Sequence, residues 1–384
     1  MNISNIYQTI PAELKEALLQ NAVHRIGNLI LDENGKIQGF LQSTAGFIEE
    51  KDVQLVLANA AQYAQLGMKT NPIAFGIHAA SSFSVLAYQI ETIKNRLETT
   101  AKTLDKINSK VDIGYYSKFK GAIELASHAL SMKDPENKLN LSHNAMQLFV
   151  ETKNIYTQYL QQELEQDGRM IADYFLIVVL SYLGQVKCCL ELEEVDTAKK
   201  ILREGTEEVK GIATQYIQQL LTDNPTIYLH NDFKDLDIDL SRLVKVYKWL
   251  GQEVDENTLF NQWKEAYVHI HTKPEKALKK LPKMVWNPVL DIAAKEHKFY
   301  LARLNPLQLF QNDDSKPLLK NRLQECFETI KQIMETYNRF YGAVVEVDWI
   351  AENGGSYQEW KQYLAAHQQE GKNLMYVEIK PVEL

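Results

Sequence analysis

Asp235, Asp237 and Asp239 place three carboxylates at alternate positions, the spacing with which a calcium-binding loop begins. Such a loop also needs glycine at its sixth position, to turn the chain, and a bidentate acid at its twelfth, to close the coordination sphere. Counted from Asp235, those positions hold Leu240 and Val246. The aspartates are read instead as an acidic lead-in to a helix near Ser241, where the helix dipole favours negative charge. His269 and His271 flank Ile270, with His230 elsewhere. On the helix expected there, alternate residues diverge by about 200°, and no third ligand is nominated. The sequence holds no phosphate-cradling glycine loop, dinucleotide fingerprint, nucleophile elbow or HExxH pair. No catalytic residue, metal or cofactor is therefore assigned, and the reading is of a non-catalytic chain.

Charge and cysteines narrow the classes further. A net charge of −8 argues against a general nucleic-acid binder, which must neutralise phosphates with Lys and Arg. One basic run, Lys273, Lys276, Lys279, Lys280 and Lys283, reads as a solvated helix end between Pro274 and Pro282, with a lipid or nucleic-acid contact as its alternative. Cys188, Cys189 and Cys326 form no disulfide framework and suit buried thiols in a reducing cytoplasm. The N-terminus lacks the basic and apolar regions of a secretory signal. Cytoplasmic location is expected, with membrane association on activation as an extension of it.

The elements that must carry any function are mostly helical. The 384 residues include only 17 glycines and 10 prolines, a composition that suits long helices. The expected fold is mainly α: a multi-helix bundle with a long coiled-coil-like helix, a small N-terminal β-hairpin and a repeat-like helical region. Four consecutive blocks are read: 1–48, a helix plus hairpin cap; 49–133, an apolar hairpin and long heptad helix; 134–223, repeat-like helices; and 224–384, an α-rich C-terminal domain with short strands. The hairpin rests on Asn34-Gly35 between two short apolar runs, over about 28–42. Short strands are expected at Ala343–Val347 and Asn373–Val382.

Between Val53 and Ile90 there is one charged side chain, Lys69. Two apolar segments flank Lys69-Thr70-Asn71-Pro72 and read as a helical hairpin that includes Ile73, Phe75, Ile77, Phe83 and Leu86. Its burial could be in the chain's own core, in a partner or in a membrane; residues 70–90 would span about 31 Å as a helix. His78 lies within it and reads as a core histidine. A heptad follows, with Ile90, Ile93, Leu97, Leu104, Ile107 and Val111 as its apolar seam and Thr100 at the one polar core position. The seam is a candidate assembly surface, and a protein partner or homo-oligomer is expected.

Residues 50–133 resemble the membrane element of α-helical pore-forming toxins of the cytolysin A and haemolysin BL type, where an apolar hairpin runs into long helices. That resemblance implies a membrane-perturbing effector in bacterial conflict or phage defence, the alternative to a bacterial protein acting by protein–protein assembly. The pair Met170–Glu193 and Asp196–Leu221 resembles a tetratricopeptide-like hairpin through Leu183-Gly184 and through Ala198, Leu202 and Gly205. A repeat-like pair implies a concave partner surface, for which Tyr174, Tyr182 and Tyr216 are the candidate aromatics.

Overall fold

The computed structural model describes residues 5–7, 11–43, 83–104, 109–165, 168–221, 236, 238–262, 264, 315–352, 356–366 and 374–382. Over these residues the protein is mainly helical, with one small antiparallel sheet. In chain order the elements are β1 (Asn5–Tyr7), α1 (Ala12–Leu19), β2 (Val23–Ile26), β3 (Leu29–Asp32), β4 (Ile37–Ser43), α2 (Phe83–Leu104), α3 (Ser109–Ser131), α4 (Pro135–Glu165) and α5 (Ile171–Glu191). They continue with α6 (Val195–Leu221), α7 (Leu240–Trp249), α8 (Ser315–Glu352), α9 (Tyr357–Ala366) and β5 (Leu374–Val382). The apolar residues Ile73, Phe75 and Ile77, His78, the three histidines and the basic run 273–283 lie outside the described residues.

Two compact units form, and they do not follow the four consecutive blocks read from sequence. One gathers Met1–Gln158, Asp173–Lys210 and Glu335–Leu384; the other gathers Tyr159–Ala172 and Gly211–Met334. The first is interleaved because its sheet has the order β1-β5-β4-β3-β2, which places the C-terminal strand between two N-terminal ones. The β4–β5 register shifts between Ile37 and Gly39, and Pro381, which has no N–H to donate, falls in that irregular stretch. In the second unit the Cys326 thiol donates to the Leu220 carbonyl at 3.2 Å, within a core that includes Tyr216, Leu323 and Phe327.

The hairpin expected at 28–42 forms as β3–β4, with a different turn. Gly35 takes φ +80°, whereas Asn34 is not left-handed, so the turn is not the two-residue type that Asn-Gly suggests. The Asp32 carboxylate explains the change: it accepts from the backbone N–H of both Asn34 and Lys36 at 2.9 Å, favouring a longer loop. Strand β2 escaped the sequence reading, although Gly27-Asn28, between Val23-His24-Arg25-Ile26 and the apolar Leu29-Ile30-Leu31, was its signal. Gly27 has φ +60°, and a Cβ there would lie 2.4 Å from the Asn338 carbonyl on α8. Arg25 fixes the same contact through Glu335 at 3.1 Å, and Glu335 also takes Arg339 at 2.7 Å.

Two sequence expectations are corrected. Ala343–Val347 is not a strand; it lies inside α8, where Ala343 and Val347 are buried on one side and Glu346 accepts from Trp360 Nε1 at 3.0 Å. Three valines of high β-propensity are overridden by packing, because helical spacing puts 343 and 347 on one face. The heptad stretch also spans two helices, since α2 ends at Leu104 and Val111 belongs to α3.

α5 is the centre of the first unit. Every residue from Asp173 to Glu191 is buried. The helix is long and apolar enough to cross a membrane, but 94% of its most apolar 18-residue stretch is enclosed by the chain. Phe149 of α4 lies against Gly184, where a Cβ would come within 2.6 Å of the ring, and Phe149 in turn meets Phe119 of α3 at 5.3 Å. Tyr156 of α4 packs on Tyr174 at 5.5 Å, and Phe340 of α8 packs on Tyr182 at 5.7 Å. Gly184→Ala is expected to lower stability by about 1–3 kcal/mol, because the ring cannot yield in a close-packed core. Gly121→Ala, with nothing within 4 Å of the added methyl, should be neutral or stabilising by up to about 1 kcal/mol. Urea denaturation distinguishes the two, and equal effects would contradict the packing assigned to Gly184.

Candidate functional site

The richest polar cluster in the described residues lies where α5 ends and α9 begins. α5 closes with Glu193 N–H donating to the Leu190 carbonyl at 3.0 Å and Glu194 N–H to the Cys189 carbonyl at 2.9 Å. This closure puts Glu193 at φ +60°, the position glycine usually fills. The compensation is visible on α9. The Glu193 carboxylate accepts from the backbone N–H of Tyr357 at 2.9 Å and of Gln358 at 3.0 Å, capping the N-terminus of a helix distant in sequence. Ser356 Oγ accepts from Glu359 N–H at 3.0 Å and completes the cap.

One turn back, the Lys187 ammonium meets Glu191 at 2.7 Å and the Tyr357 hydroxyl at 2.5 Å. Glu191 also takes Lys361 at 2.8 Å and Gln358 Nε2 at 3.2 Å, while Lys138 donates to its backbone carbonyl at 3.0 Å. Burial is the main influence on Lys187 and lowers its pKa to about 8, against the pull of Glu191. For Glu191, burial alone would push the carboxyl up; Lys187 and Lys361 outweigh it and hold the pKa below the usual range. Burial, with Glu191, Glu346 and Glu193 around it, drives Tyr357 well above the ordinary phenol value. Chemically, the cluster holds a protonated lysine, an ionised carboxylate and a neutral phenol in fixed contact. Each satisfies another's hydrogen-bonding demand, and together they join α5 to α9.

Three further ionisable groups also bridge helices. Asp173 at the start of α5 meets Arg96 of α2 at 2.9 Å; its burial raises the carboxyl pKa to about 6, with Arg96 opposing. Glu208 of α6 accepts from the Tyr182 hydroxyl at 2.5 Å and pairs with Lys153 of α4 at 3.0 Å. Glu91 of α2 accepts a short hydrogen bond from Tyr116 of α3, beneath Lys94. Within α5 itself, Ser181 Oγ donates to the Ile177 carbonyl and Gln185 Nε2 to the Ser181 carbonyl. Burial raises both the Cys188 and Cys189 thiol pKa values, which disfavours the reactive thiolate.

The residues singled out in the sequence are placed as follows. Ile90, Ile93 and Leu97 are buried in the chain, on a helix that packs against α3, so this half of the seam is occupied internally. Leu104 and Val111 lie in α2 and α3 with their side chains outside the described residues, and Ile107 lies wholly outside them. Leu86 is fully buried; Phe83 opens α2 with its side chain undescribed. Tyr174, Tyr182 and Tyr216 are not a partner surface: they are 2%, 6% and 1% exposed. Their rings serve the core: Tyr182 fills the space beside Gly205, Tyr174 packs on Tyr156, and Tyr216 is buried within the second unit. Asp239 does lead into a helix, accepting from Arg242 N–H at 2.8 Å as the cap of α7. The α5–α9 cluster was missed because its partners lie 170 residues apart; a lone Lys and Glu at i and i+4 inside an apolar helix were its only trace.

The chain matches no protein-family model, no curated protein and no solved structure.

Lys187 and Asp173 should tilt stability in opposite directions with pH. Below about pH 8, Lys187 is charged in both folded and unfolded chains, and the fold bears the cost of burying it. Above that, the folded chain has lost a proton that the unfolded chain keeps until about 10.5, so stability rises through pH 8–10. Lys187→Met should remove that rise, worth up to roughly 3 kcal/mol. Asp173, raised from 3.8 to about 6, gives a contribution that falls as pH climbs from 4 to 6, and Asp173→Asn should abolish it. Unfolding free energies across pH check both, and unchanged slopes in the variants would contradict the placements.

Proposed function

We propose that this chain is a non-catalytic bacterial helical protein that acts in the cytoplasm through protein–protein assembly, with another protein or with copies of itself. The observation that carries the reading is where the perturbed ionisable groups are spent. Lys187, Glu191, Asp173 and Tyr357 are each engaged in joints between helices. A lysine with a pKa near 8 is the type of group that catalysis uses, and here carboxylate and phenol partners hold it in place. The buried state of Cys188, Cys189 and Cys326 supports a reducing compartment.

Within this reading, the distal part of the heptad stripe, Leu104, Ile107 and Val111, is the coiled-coil-like assembly seam. The α5–α6 pair acts as one repeat-like unit, in which Gly184 and Gly205 permit the close approach of Phe149 and Tyr182. The alternative, a membrane-perturbing effector of bacterial conflict or phage defence, is supported by one specific feature: 38 positions from Val53 to Ile90 with a single charge.

Sedimentation equilibrium of the full chain from about 1 to 500 µM tests the self-assembly form of the reading, over the range in which weak complexes form. A weight-average mass rising above one chain is expected. A mass of one chain throughout would overturn self-assembly. Release of dye from liposomes by the purified chain would favour the membrane alternative.

A further inference from the structure

The outward side of α4 between Leu139 and Gln158 differs from an ordinary solvated helix face. Of its nine exposed residues, five are amides, two are the aliphatics Leu139 and Val150, one is His143, and one, Glu151, is charged. Glu151 is already paired with Lys118 of α3 at 2.9 Å. The contrast is α6 from Asp196 to Lys210, where five of six exposed residues are charged. Leu139 and Val150 are 41% and 38% exposed, among the few large aliphatics so open to water. They are eleven residues apart, so three helical turns bring them to within about 20° of one another and about 16 Å apart along one edge.

We propose that this face of α4 pairs with the same face of a second copy, antiparallel, about a two-fold axis near Asn144. The proposal rests on the assembly reading above and assigns self-pairing to this face of α4 rather than to the heptad seam. Three observations select a second copy as the occupant. Two copies of a chain of net charge −8 repel one another overall, and a face without net charge is where they approach at least cost. A charged partner would find no counter-charge here and would lose hydration. The face is also self-complementary: a two-fold midway between 139 and 150 sets Leu139 opposite Val150 of the other copy, twice, on the same edge. Asn144 and Gln147 flank the axis, and an amide both donates and accepts, so it pairs with its own kind where a carboxylate or ammonium cannot. The face buries on the order of 300 Å² per chain, well below the roughly 800 Å² of a stable complex. The pairing is accordingly weak and reversible, at about 10–100 µM or above.

A charge exchange across the axis tests this. In sedimentation equilibrium, Leu139→Lys and Val150→Asp should each weaken association about tenfold or more. The double variant should recover to within about threefold of wild type, because each new ammonium then faces a new carboxylate in the other copy. Melting by circular dichroism verifies folding, and Gln147→Glu provides a second, fully polar probe that should also weaken pairing. Asn144→Cys should form a disulfide-linked dimer on mild oxidation, since the three native cysteines are buried. Association that survives the single variants, or a double variant no better than the singles, overturns this face and leaves assembly to another surface. A wild type that remains one chain to 500 µM overturns both the face and the self-assembly reading.

Discussion

A helix buried on every side constrains the whole first unit. From Asp173 to Glu191, α5 offers no residue to water, so it must be surrounded, and its polar groups must find partners within the chain. The surrounding elements meet it from several directions: α2 through Arg96, α4 through Phe149 and Tyr156, α6 through Gly205 and Glu208, α8 through Phe340, and α9 through Tyr357. Two of those contacts, Phe340 and Tyr357, come from the last 50 residues of the chain. Interleaving of distant segments is thus a consequence of enclosing one apolar helix.

Enclosure explains why the unusual ionisable groups serve the fold. Burying Lys187, Glu191 or Asp173 alone would cost several kcal/mol, and each is retained because an opposite charge or a phenol lies within hydrogen-bond reach. Glu193 follows the same logic: it accepts a left-handed backbone that glycine would adopt freely, and its carboxylate ties α9 to the end of α5.

Much of this was legible along the chain and little of it across. The breaks at Asp167-Gly168 and Glu193–Asp196 set off α4, α5 and α6, and Asp239 marked the start of α7, because caps and turns are local chemistry. Leu183-Gly184 and Gly205 stood out along the chain as positions of a repeat-like pair. What sat against them did not, since Phe149, Tyr182 and Phe340 are brought there by tertiary structure. The same gap misassigned the tyrosines: amphipathic aromatics suit a surface, but all three rings are enclosed by neighbouring helices, Tyr182 beside Gly205. Ala343–Val347 read as a strand by composition, yet its 343/347 spacing serves a helix once α8 passes over Trp360. The neutral face of α4 was hidden for the opposite reason. Asn and Gln have no periodicity signal of their own, and only burial shows that they share one side.

Native-state hydrogen exchange over residues 173–191 tests the enclosure of α5 most directly. If the helix is held from all sides, its amides exchange only through global unfolding, and their protection falls with urea at the slope of the whole unit. Fast exchange of 173–191 while α3 and α4 remain protected would mean that α5 leaves its surroundings by local opening, and would contradict the account.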